Sequence, residues 1–168
     1  MPNWIRTYVR VVEAVNYRVG RFAMYLIFAL MAVLLWSSIS KTFFMPSLWT
    51  LEMAQFIMVA YYLLGGPYSM QLNAHVRMDL VYGSWSDKTK AQVDAFTIVF
   101  LMIYLGVLLY GGFNSTFYAM EYNIRKPSAW RPYIWPVRLI SCVGIFLMLL
   151  QGIAVFFKDI AKIRGEEL

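Results

Sequence analysis

The sequence predicts an all-α membrane protein with four transmembrane helices, and three observations carry that prediction. The 168-residue chain is 61% hydrophobic and only 14% charged, against about 45–50% apolar and about 25% charged in ordinary soluble domains. Charges are absent from four long runs, 22–40, 53–74, 95–120 and 139–157. The shortest would rise ~28 Å as a helix at ~1.5 Å per residue, close to the ~30 Å hydrocarbon core of a bilayer. Tryptophans stand at the ends of these runs, with Trp4 and Trp85 at one side and Trp49, Trp130 and Trp135 at the other. Indoles favour the headgroup level.

Taken in order, the opening segment NWIRTYVRVVEAVNYRVGR sets Trp4, Ile5, Tyr8, Val9, Val12, Val15 and Val19 on one helical face. Arg6, Arg10, Glu13 and Arg18 stand opposite. Such a basic amphipathic helix lies in the membrane interface or extends the first span inward, and the residues leave both geometries open. It is too polar for the apolar core of a cleavable signal peptide, so none is expected.

The first span is placed at Phe22–Ser40 and the second at Leu51–Met70. Within the second, Gly65-Gly66-Pro67 is expected to kink or end the helix, with its freed backbone groups met by neighbours. The polar stretch Asn73-Ala-His-Val-Arg-Met-Asp79 follows. Ser86 is the expected N-cap of the next helix, with Asp87 in its first turn. The third span is Ala95–Phe117, where Gly106, Gly111, Gly112 and Ser115 would allow close helix approach. The fourth is Pro136–Phe157. One four-helix membrane domain covers 1–168.

Lys and Arg mark cytoplasmic loops. Ten of the fifteen flank the termini and the loop between spans 2 and 3, against five at the other side. Both termini are therefore expected in the cytoplasm of a bacterial cell, with the chain in the inner membrane. The net charge of +6 is met by this flanking, without a nucleic-acid partner.

Residue counts exclude much chemistry. The single histidine, His75, cannot supply bis-histidine haem ligation or a His-Glu-x-x-His zinc site. The single cysteine, Cys142, allows neither a dithiol couple nor an internal disulfide. The span centres hold no ionisable residue, where an autonomous transporter would place one. Glu52 comes nearest, at the start of span 2, where Lys41 is positioned to pair with it. No catalytic residue, metal site or cofactor is expected. An accessory or scaffold subunit is the reading that survives.

The residues Trp49-x-x-Glu52, then Gly65, then His75-Val76-Arg77-x-Asp79 resemble the small membrane subunit of tripartite ATP-independent periplasmic (TRAP) transporters. Pro136, Gly144 and Leu150-Gln151 also fit, as do the length and the four-span layout. The chain departs from the family pattern at Leu51, where a second acid is common, and at Gln55 and near Gln71, where arginines are common.

The resemblance implies a scaffold role. A periplasmic binding protein would deliver an organic acid, such as a C4-dicarboxylate or sialic acid. A large membrane subunit would carry the substrate and coupling-sodium sites, and this chain would pack against it. Glu52, His75, Arg77 and Asp79 then become candidates for subunit-interface or headgroup contact. His75 and Arg77 can also cap the end of span 2 or meet lipid phosphates. Arg77 and Asp79, two residues apart, would not face one another on a helix. Arg125, Lys126 and Arg131 are candidates for docking the binding protein, or for anchoring their loop to phosphates. Two other functions stay open: a membrane anchor for a soluble or redox partner, and an independent homo-oligomeric exporter.

Overall fold

The computed structural model describes residues 3–72 and 87–164. Four helices fill them: α1 (Asn3–Phe43), α2 (Thr50–Gln71), α3 (Asp87–Glu121) and α4 (Trp135–Arg164). An isolated bridge between Arg125 and Tyr133 is the one β-type pairing among the described residues. The all-α expectation holds. α1, α3 and α4 are each long and apolar enough to cross a membrane. The shorter α2 is diluted by Gln55, its tyrosines and Gly65-Gly66-Pro67.

The open question over the first segment is answered by continuity. Residues 3–43 form a single helix, ~60 Å long at ~1.5 Å per residue, twice the hydrocarbon thickness. Its buried stripe runs Ile5, Val9, Val12, Asn16, Gly20 and Ala23, steps of three and four that keep one face inward. The stripe departs from the face read in the sequence at Trp4 and Val15, which are exposed, and at Glu13, which is turned toward α4, where Lys158 donates to its carboxylate.

The helices form two antiparallel hairpins, α1–α2 and α3–α4, joined chiefly through α2 against α4, with α1 crossing α4 over a shorter stretch. α3 thus packs principally on one neighbour, α4. At one end of the bundle, Ile5, Val9 and Val12 pack on Ala154, with Tyr8, Leu150 and Phe157 around them. Phe157 also meets the rings of Trp4 and Tyr8 edge-on.

Two glycines set the close crossings. A Cβ on Gly20 would lie 2.3 Å from Tyr68 Cβ, which brings α1 onto α2. A Cβ on Gly144 would lie 2.7 Å from the Leu63 carbonyl oxygen, which brings α4 onto α2. That carbonyl would ordinarily accept from the amide of residue 67, and residue 67 is proline. α2 continues past Pro67 to Gln71 rather than ending at Gly65-Gly66-Pro67. The helix survives because Pro67 is buried among neighbours, which supply the context a membrane proline needs.

The glycine-rich stretch of span 3 divides. Gly112 approaches Cys142, whose sulfur would lie 3.0 Å from an added Cβ, and the Ser115 carbonyl accepts from Arg138 at 2.7 Å. Gly106 and Gly111 meet nothing within 4 Å, so close packing within the chain does not explain them. α3 also begins at Asp87, earlier than the apolar span itself. It ends in a Schellman turn: Ile124 N–H donates to Ala119 O, Asn123 N–H to Met120 O, and Asn123 has φ 47°.

Candidate functional site

The polar side chains of the described residues gather at the two ends of the bundle. At the end carrying the α1–α2 and α3–α4 turns, small hydroxyls lock the first hairpin. Thr50, fully buried at the start of α2, shares hydrogen bonds with Ser47 at 2.9 Å and donates to Ser37 at 3.2 Å. Ser40 donates to the Met45 carbonyl at 2.7 Å. The Ser37 and Ser40 positions thus define the face of α1 turned to α2.

Lys41, one residue on, is rotated by ~100° from Ser40 and exposed. The expected pairing of Lys41 with Glu52 is therefore not made. Glu52 lies two residues after Thr50, is 6% exposed, and its Oε2 has no hydrogen-bond partner among the described residues. One turn further along α2, Gln55 accepts from the Lys126 ammonium. This contact ties the α3–α4 turn to the second helix.

The turn itself is ordered by backbone pairing. Lys126 N–H donates to Pro132 O and Ile134 N–H to Ile124 O, and Arg131 adopts φ 50° with its amide on Ser128 Oγ. The Arg125 guanidinium donates to the Tyr133 hydroxyl and lies 4.4 Å from that ring's centroid. Of the three basic docking candidates, Arg125 and Lys126 are therefore engaged within the chain. Arg131 alone among them has a side chain without a partner in the described residues.

The opposite end carries contacts that hydropathy did not point to. Asn16 and Gln151, 1% and 0% exposed, are hydrogen-bonded, with Asn16 Nδ2 donating to Gln151 Oε1 at 2.7 Å. Tyr8 donates to the Leu150 carbonyl at 3.2 Å, and Lys158 pairs with Glu13. These groups fasten the first half of α1 to α4. The stripe Ile5-Val9-Val12-Asn16-Gly20 held the signal, since a polar residue in register with buried valines faces the same neighbour. A buried pair of this kind favours one helix register, because either amide left alone in an apolar contact is costly.

His75, Arg77 and Asp79 lie outside the described residues, as do Trp85 and Ser86. Among the described residues there is no group of three or more His, Cys, Asp or Glu side chains that could hold a metal ion. The chemistry of the described polar groups is that of helix fastening: hydroxyls, amides and ion pairs that join one helix to the next.

Residues 30–162 match the family model described as tripartite ATP-independent periplasmic transporters, DctQ component. No curated protein matches the sequence. The match takes in the last third of α1 and the whole of α2 and α3, together with α4 almost to its end.

Proposed function

The chain belongs to the DctQ-component family of tripartite ATP-independent periplasmic transporters, and on that premise we propose that it works as a rigid scaffold for a large transport subunit. The family is one of transport components rather than enzymes, and the chain is a multi-pass membrane protein. In the proposed system a periplasmic binding protein delivers an organic acid, a C4-dicarboxylate, sialic acid or a similar compound. Substrate and coupling sodium bind on the large subunit. The chain lies in the bacterial inner membrane with both termini in the cytoplasm.

One observation carries the scaffold reading. The helices fasten firmly to each other yet cover little of their own apolar surface: 6% of the most apolar stretch of α3 is buried within the chain, and 11% of that of α1. Polar groups are spent on inward fastening, and the outward faces are left for lipid and a partner. The turn bearing Arg131 would face the periplasm, where exposed charge steers encounter with an acidic patch on the binding protein. His75, Arg77 and Asp79 would stand at the cytoplasmic end, in contact with headgroups or the large subunit.

Purification of the tagged chain from its native membranes in mild detergent, with mass spectrometry of what accompanies it, tests this reading. A large polytopic protein in one-to-one ratio is expected. Recovery of the chain alone, or with a soluble enzyme as an anchor would be, overturns it.

A further inference from the structure

We propose that residues 3–22, the first arm of α1, form a docking surface for anionic phospholipid, seated in the bilayer boundary at the end of α4. The inference needs only that the chain spans a membrane, and it stands with or without the large-subunit reading. A span takes about 20 residues, so α1, with 41, has about half its length to place elsewhere. Contacts with α4 show where. Tyr8 reaches the Leu150 carbonyl and Asn16 reaches Gln151. Between the first two residues of those pairs α1 advances ~12 Å, whereas α4 advances ~1.5 Å between the second two. The arm runs across α4, not alongside it.

α4 sets the level of that crossing. Its charge-free run 139–157 ends at Lys158, and the arm packs around Ala154 and Phe157, in the last turn before that charge. The two flanks of the arm are told apart by their partners. At ~100° per residue, Tyr8 and Glu13 leave the buried stripe on opposite sides. Tyr8 bonds back toward the apolar run, at Leu150, and Glu13 bonds forward, to Lys158. The Tyr8 flank therefore faces hydrocarbon and the Glu13 flank faces water.

Residue chemistry follows the same division. Trp4, Val11, Val15 and Phe22 share the Tyr8 flank, and all four are exposed. Arg6, Arg10 and Arg21 share the Glu13 flank and are exposed too, with Arg18 facing away from α4 between the two. An apolar strip on one side and a basic row on the other, divided at the level where α4 leaves its apolar run, is the profile of a bilayer boundary. Guanidiniums there donate charge-assisted hydrogen bonds to phosphate oxygens. Charge complementarity selects anionic over zwitterionic lipid, by about fivefold for each arginine near the surface.

The test uses the full chain in nanodiscs, with Cys142→Ala as background and a nitroxide attached at Val11→Cys or, separately, at Arg10→Cys. Relaxation by oxygen, which concentrates in hydrocarbon, should dominate at position 11, and relaxation by a water-soluble nickel chelate at position 10. Dominance of nickel at both positions puts the arm in water, as a plain extension of the span, and overturns the proposal. Shielding from both reagents only when the large subunit is present makes protein the occupant and overturns the choice of lipid.

The lipid class has its own readout. A fluorophore at Val11→Cys reports the lipid beside the arm, and spin-labelled phosphatidylglycerol should quench it at a lower mole fraction than spin-labelled phosphatidylcholine. Arg10→Gln should cut that advantage about fivefold, and Lys41→Gln, at the far end of α1, should leave it unchanged. Equal quenching by the two lipids, or an advantage that survives Arg10→Gln combined with Arg21→Gln, overturns the anionic choice.

Discussion

Gly144→Ala probes the joint between the two hairpins. An ideal Cβ at this position would stand 2.7 Å from Leu63 O, 2.8 Å from Leu63 Cβ and 2.9 Å from Leu63 C. Ordinary contact begins near 3.4 Å, so α2 and α4 must separate by about 0.5–0.7 Å. The obstacle is backbone rather than the end of a flexible side chain, and no rotamer change relieves it. Overpacking of this kind costs about 1–3 kcal/mol. The better helix propensity of alanine returns about 0.8–1 kcal/mol. Net destabilisation by up to about 2 kcal/mol is expected.

Gly111→Ala is the matched control. Nothing lies within 4 Å of its Cβ, so only the propensity term acts, and stability should rise by about 0.8–1 kcal/mol. Unfolding of the isolated chain by SDS in mixed micelles, followed by tryptophan fluorescence, compares the two. The propensity gain is common to both, so their separation should be the overpacking cost alone, about 1–3 kcal/mol. If Gly144→Ala proves as stable as Gly111→Ala, the close approach of α4 to the Leu63 carbonyl is not what holds the hairpins together.

Other perturbations test the remaining fastenings. Asn16→Leu or Gln151→Leu alone should destabilise the chain by about 1–3 kcal/mol, by leaving the other amide buried without its partner. The double variant should cost less than the two singles summed, and additivity in a double-mutant cycle would show that the amides do not act as a pair. Arg131→Glu should weaken docking of the binding protein in a salt-sensitive manner and leave chain stability unchanged; uptake that is unaltered at limiting binding protein would count against the docking role. Asp79→Ala should lower the yield of the assembled membrane pair, and normal assembly together with normal transport would remove the structural claim for the His75–Asp79 cluster.

How much of this was legible beforehand depends on the kind of interaction concerned. Charge-free runs located all four helices, because the exclusion of charge from hydrocarbon acts on each residue separately. Two ends were legible as well: α2 runs Thr50–Gln71 against the expected Leu51–Met70, and α3 begins at Asp87, the residue expected in its first turn. The far ends of α3 and α4 were not, because both helices run on through residues beyond the apolar spans, to Glu121 and Arg164. Glu52 was marked as a polar outlier, but the mismatch with Lys41 rests on helix rotation, and a spacing of eleven residues across a turn does not state it.

Residue types and their one-dimensional pattern thus determined the membrane class, the number of helices, the poverty of catalytic groups and the resemblance to a transporter subunit. Tertiary structure alone decided that α1 is one helix fastened to α4, that Asn16 meets Gln151 across 135 positions, and that Gly144 serves a crossing while Gly111 stands open. The physical reason is that burial preference belongs to a residue and repeats along the chain. A hydrogen bond or a steric fit belongs to a pair, and its partner is found only when the helices have taken their places.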